Sequence, residues 1–387
     1  MSRIDELIAE HCPDGVEYRF LGDLIKLNFG SRITKRDDAG SLFPVYGGGG
    51  ESFRTDSFNR QDEYVVSRFA MSARCVRKVS GKFWMLDSGF TFDPLQDSVD
   101  KTYVAYYLLS MQRDIYACSS EGAQKNIKVD QFKKFRVPLP PLEVQGEIVR
   151  ILDHFAELEA ELEAELEARR RQYAYYRDTL FIRPETGAVE HVPLGALGHF
   201  IRGRRFTKAD VVEVGIPSIH YGEIYTRYGV AAQETISQVR SELSPLLRFA
   251  QSGDVVIAAV GETVEDVGKA VAWLGDGSVA VHDDCFIFHH DMNPTFVSYY
   301  MQTDAFHAQK SKHVARAKIK RLSGESLAKI TMPVLPLEEQ ERIVAILDKL
   351  DALVNNLSVG LPAELAARRT QYEHYRDGLL TFKELAA

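Results

Sequence analysis

Few stretches of this chain combine residue types and spacing that could do chemistry. Asn293-Pro294-Thr295-Phe296 is one residue away from the N-P-P-Y/F loop with which adenine methyltransferases hold a base, but no glycine-rich cofactor loop precedes it. Gly261 to Gly268-Lys269-Ala270 resembles a phosphate-binding loop, yet the glycine spacing is too long and alanine replaces the magnesium-binding hydroxyl. His289-His290 and Asp283-Asp284 offer metal ligands without a third at usable spacing. We therefore predict no catalytic residue and no metal site.

The composition is that of a folded protein from a reducing compartment. The chain is 45% hydrophobic and 26% charged, a composition typical of globular proteins and not of disordered chains. No apolar run approaches the ~18–20 residues of a membrane span, and the first ten residues lack the apolar core of a signal peptide. The four cysteines lie far apart and form no CxxC pair. We expect a cytoplasmic protein with free or buried thiols and no membrane association.

The net charge of −8 is unevenly distributed along the chain. Residues 142–180 carry ten acids and five bases, and residues 337–380 carry eight acids and five bases. These two stretches, at −5 and −3, account for the whole imbalance, so the rest of the chain is neutral. The acidic pI therefore does not exclude nucleic-acid binding elsewhere.

The chain contains an internal repeat. The motif G-x-R-x-T-K occurs at residues 30–35 and again at 203–208, and the spacing of 173 residues holds through Pro44/Pro217 and Gly49/Gly222. Residues 141–153, P-L-E-x-Q followed by I-V-x-I-L-D, recur at 336–348, and A-R-R-x-Q-Y with Y-R-D recurs after both. The matches keep their order, so the chain is one unit written twice.

Each copy ends in a long amphipathic helix. Prolines precede residues 142 and 337, and apolar residues then recur every three or four positions, including Ile148, Ile151, Leu152 and Leu158. Two related helices most economically bury such stripes against each other as an antiparallel pair, with Pro362 as a candidate kink in the second.

We predict a mixed α/β (α+β) fold with two globular modules and two antiparallel coiled-coil helices. The strands are expected to include Tyr64-Val65-Val66 and Asp254 to Ile257, separated from their neighbours by Pro/Gly turns. The expected domains are 1–141, a first module; 142–183, a central helix; 184–336, a second module; and 337–387, a C-terminal helix.

Basic residues and glycine-rich turns in the neutral modules suit DNA. Clustered Lys and Arg give phosphate contacts, and glycine turns with Tyr or His allow close approach to base edges. A solvated surface remains the alternative for any one cluster, and a flexible turn for residues 47–50. The candidate DNA-binding residues are Arg32, Thr34, Lys35, Tyr46, Gly48, Gly49, Arg68, Lys125 and Asn126 in the first module, and Arg204, Arg205, Thr207, Lys208, His220, Tyr221, Gly222, Lys318, Lys320 and Arg321 in the second.

The repeated P-L-P-P-L-E-x-Q…I-V-x-I-L-D…A-R-R-x-Q-Y…Y-R-D-x-L pattern resembles the specificity subunit of type I restriction–modification enzymes. The resemblance runs from about Val16 to Phe382 and implies two target recognition domains that read the two halves of a bipartite site in double-stranded DNA. It also implies that the helices dock two methyltransferase subunits, which supply S-adenosylmethionine and methylate adenine N6. The resemblance further implies that restriction subunits, with ATP and magnesium, join for cleavage. This chain itself is then expected to bind no cofactor and to have no catalytic activity.

The helical residues expected to form the coiled coil or dock partners share the apolar stripe and the repeated motifs. They are Gln145, Ile148, Ile151, Leu152, Leu158, Leu162, Tyr173 and Tyr176 in the first copy, and Gln340, Ile343, Ile346, Leu347, Leu357, Tyr372 and Tyr375 in the second. Two other interpretations stay open: a specificity subunit of a type II-like (IIB/IIG) enzyme whose partner fuses nuclease and methyltransferase, and a coiled-coil scaffold with protein-binding modules.

The central helix contains three consecutive copies of Glu-Leu-Glu-Ala, residues 157–168. Four helical residues rise ~6 Å, close to two base pairs of ~3.4 Å. We hypothesise that this run sets the spacer between the half-sites; a plain Glu-rich helix is the alternative.

Overall fold

The computed structural model describes residues 3–48, 50–69, 74–120, 126–182, 189–314, 319–356 and 358–385. They form two compact units, Met1–Glu163 with Leu365–Ala387, and Ala164–Glu364. Within the described ranges no helix is both long and apolar enough to cross a membrane. All four cysteines are free thiols, and three of them are buried.

The first unit contains the first module, the beginning of a long helix and the last helix of the chain. Its own elements are α1 (Arg3–His11), β1 (Glu17–Phe20), α2 (Leu21–Leu24), β2 (Ile25–Phe29), α3 (Lys35–Asp38), β3 (Phe43–Gly47), β4 (Gly50–Thr55), β5 (Arg60–Ser67), β6 (Val76–Met85), β7 (Gly89–Pro94), α4 (Lys101–Ser110), α5 (Gln112–Ala117), α6 (Val129–Phe132) and β8 (Arg136–Leu139). The long helix α7 (Leu142–Ile182) has 41 residues and contributes its first half to this unit.

The second unit contains the second half of α7 and the second module. The further elements are β9 (Glu190–Pro193), α8 (Leu194–Leu197), β10 (Gly198–Arg202), β11 (Val211–Val212), β12 (Ile216–Ile219), α9 (Tyr221–Thr226), β13 (Ala231–Ala232), β14 (Ser237–Val239), β15 (Phe249–Ala250), β16 (Val255–Ala258), β17 (Val260–Gly261), β18 (Ala270–Trp273), β19 (Val279–Val281), β20 (Cys285–His290), α10 (Pro294–Tyr300), α11 (Asp304–Lys310), β21 (Lys320–Arg321), α12 (Gly324–Lys329), β22 (Thr331–Val334), α13 (Leu337–Asn355) and α14 (Leu361–Leu379). Most of α14 belongs to the first unit.

The two modules share part of their sheet arrangement, since the strand order β2-β7-β5-β6 of the first matches β10-β20-β16-β18 of the second. In the first, a six-stranded sheet has the order β2-β7-β5-β6-β3-β4; in the second, two five-stranded sheets have the orders β10-β20-β16-β18-β13 and β11-β14-β12-β19-β15. Both expected strands are present, as the buried parts of β5 and β16. Each module includes a parallel strand pair between equivalent elements: β3 with β6, and β12 with β19. The mixed α/β fold predicted from the sequence is confirmed.

Equivalent glycines show that the repeat extends to backbone detail. A Cβ on Gly30 would lie 2.2 Å from the Leu86 oxygen, and one on Gly203 would lie 2.2 Å from the His282 oxygen. The amide that follows each glycine donates to an equivalent carbonyl oxygen, Ser31 to that of Met85 and Arg204 to that of Val281, both at 2.9 Å. Only glycine fits such a close approach, so the first residue of G-x-R-x-T-K is fixed by packing.

The helices pair antiparallel within the first unit. Phe155 of α7 stacks on Tyr375 of α14 at 5.4 Å, and further along α7 Glu159 accepts from Arg369 at 2.6 Å. Residue numbers thus rise on one helix as they fall on the other. In the second unit the second half of α7 lies near α13, because Arg177 of α7 lines one cleft with Asp351 and Asn355 of α13. Burial raises the pKa of Tyr173 on α7, and the nearby Asp351 carboxylate raises it further.

The second long helix is broken rather than kinked. The break lies between α13 and α14, where Gly360 has a φ of +84° and Asn356 accepts from the amide of Ser358 at 2.8 Å. The expected kink at Pro362 was misplaced, because Pro362 occupies the second position of α14, where no amide donor is required.

Candidate nucleic-acid interface

Two turns of the second module that lie apart in sequence line one cleft. The cleft has a volume of about 810 Å³, and its walls include Thr207 and Lys208 from the G-x-R-x-T-K turn and His220, Tyr221 and Gly222 from the next turn. Five candidate DNA-binding residues are therefore brought together.

A buried histidine supports the cleft floor. The ring of His282 lies 4.9 Å from that of Phe206 and 4.4 Å from that of His220. Its Nδ1 accepts from the amide of Asp284 at 3.1 Å, so the proton is on Nε2, which donates to the Phe206 oxygen at 3.1 Å. Burial lowers the pKa of the His282 ring below its ordinary value, although Asp283 and Asp284 act in the opposite direction.

The turn that carries His220 is held by its own side chains. His220 Nδ1 accepts from the amide of Gly222 at 3.2 Å, and Glu223 accepts from the amide of His220 at 2.9 Å and from the hydroxyl of Ser237. His220 and Glu223 are thus occupied in building the turn. The half-buried Tyr221 beside them is positioned by α9, which begins at this residue.

The candidate cations of the second module fall into two groups. Arg204, Arg205 and Lys208 are exposed and form no ion pair with any described residue, so they remain available to phosphates. Arg321, by contrast, lies 3.4 Å from Asp284. Lys320 is half-buried beside it on β21.

His282, Asp283 and Asp284 come close enough to suggest a metal site. Both ring nitrogens of His282 already have backbone partners. Arg202 lies within 4.0 Å of Asp283 and 3.9 Å of Asp284. This arrangement favours a neutralised charge cluster over a cation site.

The first module brings its two turns together around residues 84–86. Ser31, in the first turn, accepts from the indole of Trp84 at 2.8 Å, and Tyr46, in the second, accepts from the amide of Leu86 at 3.0 Å. A Cβ on Gly48 would lie 2.0 Å from the Phe69 oxygen, so this position also requires glycine. Arg32 and Thr34 lie in the exposed turn before α3, Lys35 is the first residue of that helix, and the side chain of Thr34 caps it.

Arg68 and Asn126 form a separate pair in the first module. The guanidinium of Arg68 donates to the Asn126 side chain at 3.2 Å, which fixes its orientation. Gly49, Lys125, Lys318 and Leu357 lie outside the described residues.

Much of the predicted docking set is buried inside the units. Gln145 and Gln340 accept from the amides of Asp100 and Asn293 at 2.8 and 2.9 Å and donate back to carbonyls five residues earlier. Ile148, Leu152, Ile343, Leu347 and Tyr173 are also buried, while Ile151, Leu162, Ile346 and Tyr372 are half-buried. These side chains hold helices to modules or to each other and offer little surface to a partner.

Among the helix residues that the structure describes, three apolar positions are exposed in both copies. The first unit exposes Leu142, Leu158 and Tyr375, and the second exposes their repeat equivalents Leu337, Leu353 and Tyr176. Each unit therefore presents the same three apolar side chains.

One pair of contacts was missed from the sequence. Tyr106 donates to Asp153 at 2.6 Å, and Tyr299 donates to Asp348 at 2.8 Å, so each module is tied to the helix that comes after it. The signal was present, because both partners recur in the repeat.

Replacing Gln145 by alanine is expected to destabilise the first unit by about 1–3 kcal/mol, because the half-buried Asp100 amide and the buried Pro140 carbonyl lose their partner. Urea unfolding in a Trp273→Phe background, where Trp84 is the remaining tryptophan, measures this unit. The exposed Gln131→Ala should change little, and an equal loss in both variants would contradict the assignment.

The second unit is expected to lose stability on acidification. Burial lowers the pKa of His220, His290 and His307 to about 4 each. An exposed histidine has a pKa near 6.5, so between pH 6.5 and 4 the unfolded chain binds more protons, and the free energy of unfolding falls as the pH falls.

Urea unfolding followed through Trp273 in a Trp84→Phe background measures this dependence. The triple variant H220N/H290Q/H307Q should flatten it between pH 6.5 and 4.5. If the variant kept the parental pH dependence, the three histidines would not be its source.

Comparison with known proteins identifies the family to which this chain belongs. The type I restriction modification DNA specificity domain matches residues 13–168 and 188–367, one match to each copy of the repeat. The chain belongs to this family.

Related sequences agree with that assignment, and a solved structure shares the fold. The chain is 29% identical over 355 residues to a putative type I restriction enzyme specificity subunit of Haemophilus influenzae, covering 88% of each chain. It is 28% identical over 290 residues to the EcoR124I/EcoR124II specificity subunit of Escherichia coli, covering 72% of this chain and 70% of that one. The fold is similar to that of a type I S subunit from M. genitalium, with a TM-score of 0.56, 20% identity and coverage of 95% and 96%.

Proposed function

We propose that this chain is the non-catalytic subunit through which a type I restriction–modification complex recognises its DNA sequence. The proposal rests on the cleft of the second module, where Lys208 lines the same walls as His220, Tyr221 and Gly222, a turn suited to base contact. Arg204 and Arg205 precede it in the same turn and form no ion pair with a described residue. Phosphate contacts from such cations give affinity and register, while turn side chains read bases.

The site it reads is bipartite and asymmetric. The modules place equivalent turns on the same backbone plan, with Gly47 and Gly48 in the first where the second has His220 and Tyr221. Similar scaffolds with different side chains suit two different half-sequences.

We propose two copies of one methyltransferase subunit as the direct partners. The support is the recurrence of the same exposed trio, Leu142, Leu158 and Tyr375 in one unit and Leu337, Leu353 and Tyr176 in the other. Exposed apolar residues that repeat with the duplication suit a repeated partner surface. The partners bring S-adenosylmethionine and methylate adenine N6, and restriction subunits with ATP and magnesium complete a cytoplasmic complex.

The test is to co-express this chain with its candidate modification subunit and purify the complex. The complex should shift duplex DNA and, with S-adenosylmethionine, methylate one bipartite motif that single-molecule sequencing identifies. Neither subunit alone should do so. Co-purification of a single fused nuclease–methyltransferase chain would indicate the type II-like alternative, and a complex without DNA binding would indicate a scaffold.

A further inference from the structure

A rigid loop brings an acidic side chain into the cleft of the second module. The loop comes directly after β17 and is closed by Thr263, whose hydroxyl donates to Asp266 at 2.8 Å and accepts from the Asp266 amide at 3.1 Å. From behind, the fully buried Lys310 donates to the carbonyls of Glu265 at 3.2 Å and Val267 at 2.5 Å. The loop is therefore anchored from both sides.

Glu262 begins this loop and lines the same cleft as Thr207, Lys208 and Tyr221. Its side chain is exposed, and it forms no ion pair with any residue that the structure describes. An unpaired carboxylate is the one kind of side chain that a phosphate-binding surface should exclude, because like charges repel. A hydrogen-bond donor on the DNA would offset that repulsion.

The grooves of DNA limit what that donor can be. In the major groove the donors are the exocyclic amino groups, N4 of cytosine and N6 of adenine. Adenine places its N7 acceptor beside N6, which repels a second carboxylate oxygen, whereas cytosine places no acceptor of its own there. The carboxylate therefore suits cytosine.

We infer that Glu262 reads a base, accepting a hydrogen bond from N4 of a cytosine in the half-site bound by the second module. The inference rests on the proposed DNA-recognition function. Glu262 would then specify one base of the recognition sequence, a cytosine.

The experiment uses Glu262→Gln in the full chain, assembled with its partner subunits. Methylome sequencing should show one position of one half-site relaxed from cytosine to cytosine or adenine, because a glutamine amide can pair with both N6 and N7 of adenine. Discrimination against adenine at that position should fall about tenfold or more in competition binding with the purified complex. The other half-site and the spacer should not change.

Glu265→Gln is the matched control, since it removes the same charge three residues further along the loop without lining the cleft. An unchanged motif in the Glu262 variant would overturn the inference. So would uniformly tighter binding to all sequences, which would place the carboxylate near phosphates, or uniformly lost binding by a folded complex. Failure of the proposed function is separable, because the parental complex would then methylate no bipartite motif.

Discussion

A fourth copy of Glu-Leu-Glu-Ala inserted after Ala168 is expected to lengthen the preferred spacer by one or two base pairs and to leave both half-sequences unchanged. The three existing copies, residues 157–168, lie wholly inside α7, so an insertion extends an uninterrupted helix. Four residues add ~6 Å of rise, close to the length of two base pairs. Methylome sequencing of the variant measures the new spacer directly.

The same insertion rotates the C-terminal part of α7 by ~40° relative to its N-terminal part, because four residues exceed one turn of 3.6. Along the existing copies the exposed fraction of the leucines falls from 37% at Leu158 to 7% at Leu166, so the four-residue repeat does not keep its leucines in one environment. A fourth copy should therefore be tolerated better than a fifth or sixth.

The control for length replaces residues 161–164 by Gln-Leu-Gln-Ala, which changes charge and keeps the helix length. Its main expected loss is the exposed ion pair between Glu163 and Arg369, and such pairs contribute little to stability. The control should keep the parental spacer. An unchanged spacer in the insertion variant would contradict the hypothesis, and the Glu-Leu-Glu-Ala run would then be only a Glu-rich segment with high helix propensity.

The fold was predictable wherever the repeat left a pattern. The duplication, the antiparallel helix pairing and the equivalent strands β5 and β16 were inferred from periodicity and recurrence. The division of the units was not predictable, because an apolar stripe does not say which half of α7 meets α13 and which meets α14. The break before Pro362 depends on Gly360 and on a turn at Asn356. It was not predicted because the leucine spacing continues through this segment as it would in an unbroken helix.

The candidate site was predictable in its turns and less so in its charges. Counting basic residues along the chain would group Lys310 with the nearby exposed cations, although it is fully buried and burial lowers its pKa to about 8. The same counting could not see that Arg321 is paired with Asp284 while Arg205 is unpaired among the described residues. The burial of a basic side chain and its pairing with a carboxylate depend on residues that are distant in sequence, so a run of charges does not predict either.

Arg205→Ala and Lys208→Ala are expected to weaken DNA binding by about tenfold each at low salt, for every sequence tested. Both side chains are exposed and form no ion pair with a described residue, so neither has a competing partner there. Each phosphate contact contributes ~0.9 to the slope of log K against log salt concentration, and the double variant should lose about two units of slope. Titration of the assembled complex with specific and unrelated duplexes at several salt concentrations measures both effects.

Two matched variants separate charge from geometry. Arg205→Lys keeps the charge and should keep the salt slope, although a bidentate contact would be lost. Arg321→Ala removes the same charge from a residue already 3.4 Å from Asp284, so it should flatten the slope less than Arg205→Ala does. If the Arg205 and Lys208 variants instead altered base preference while affinity for unrelated DNA stayed constant, these side chains would contact bases, and the phosphate assignment would be wrong. A flattened slope with unchanged preference would assign the G-x-R-x-T-K turn to the backbone and leave base reading to the groups across the cleft, Tyr221 and Glu262.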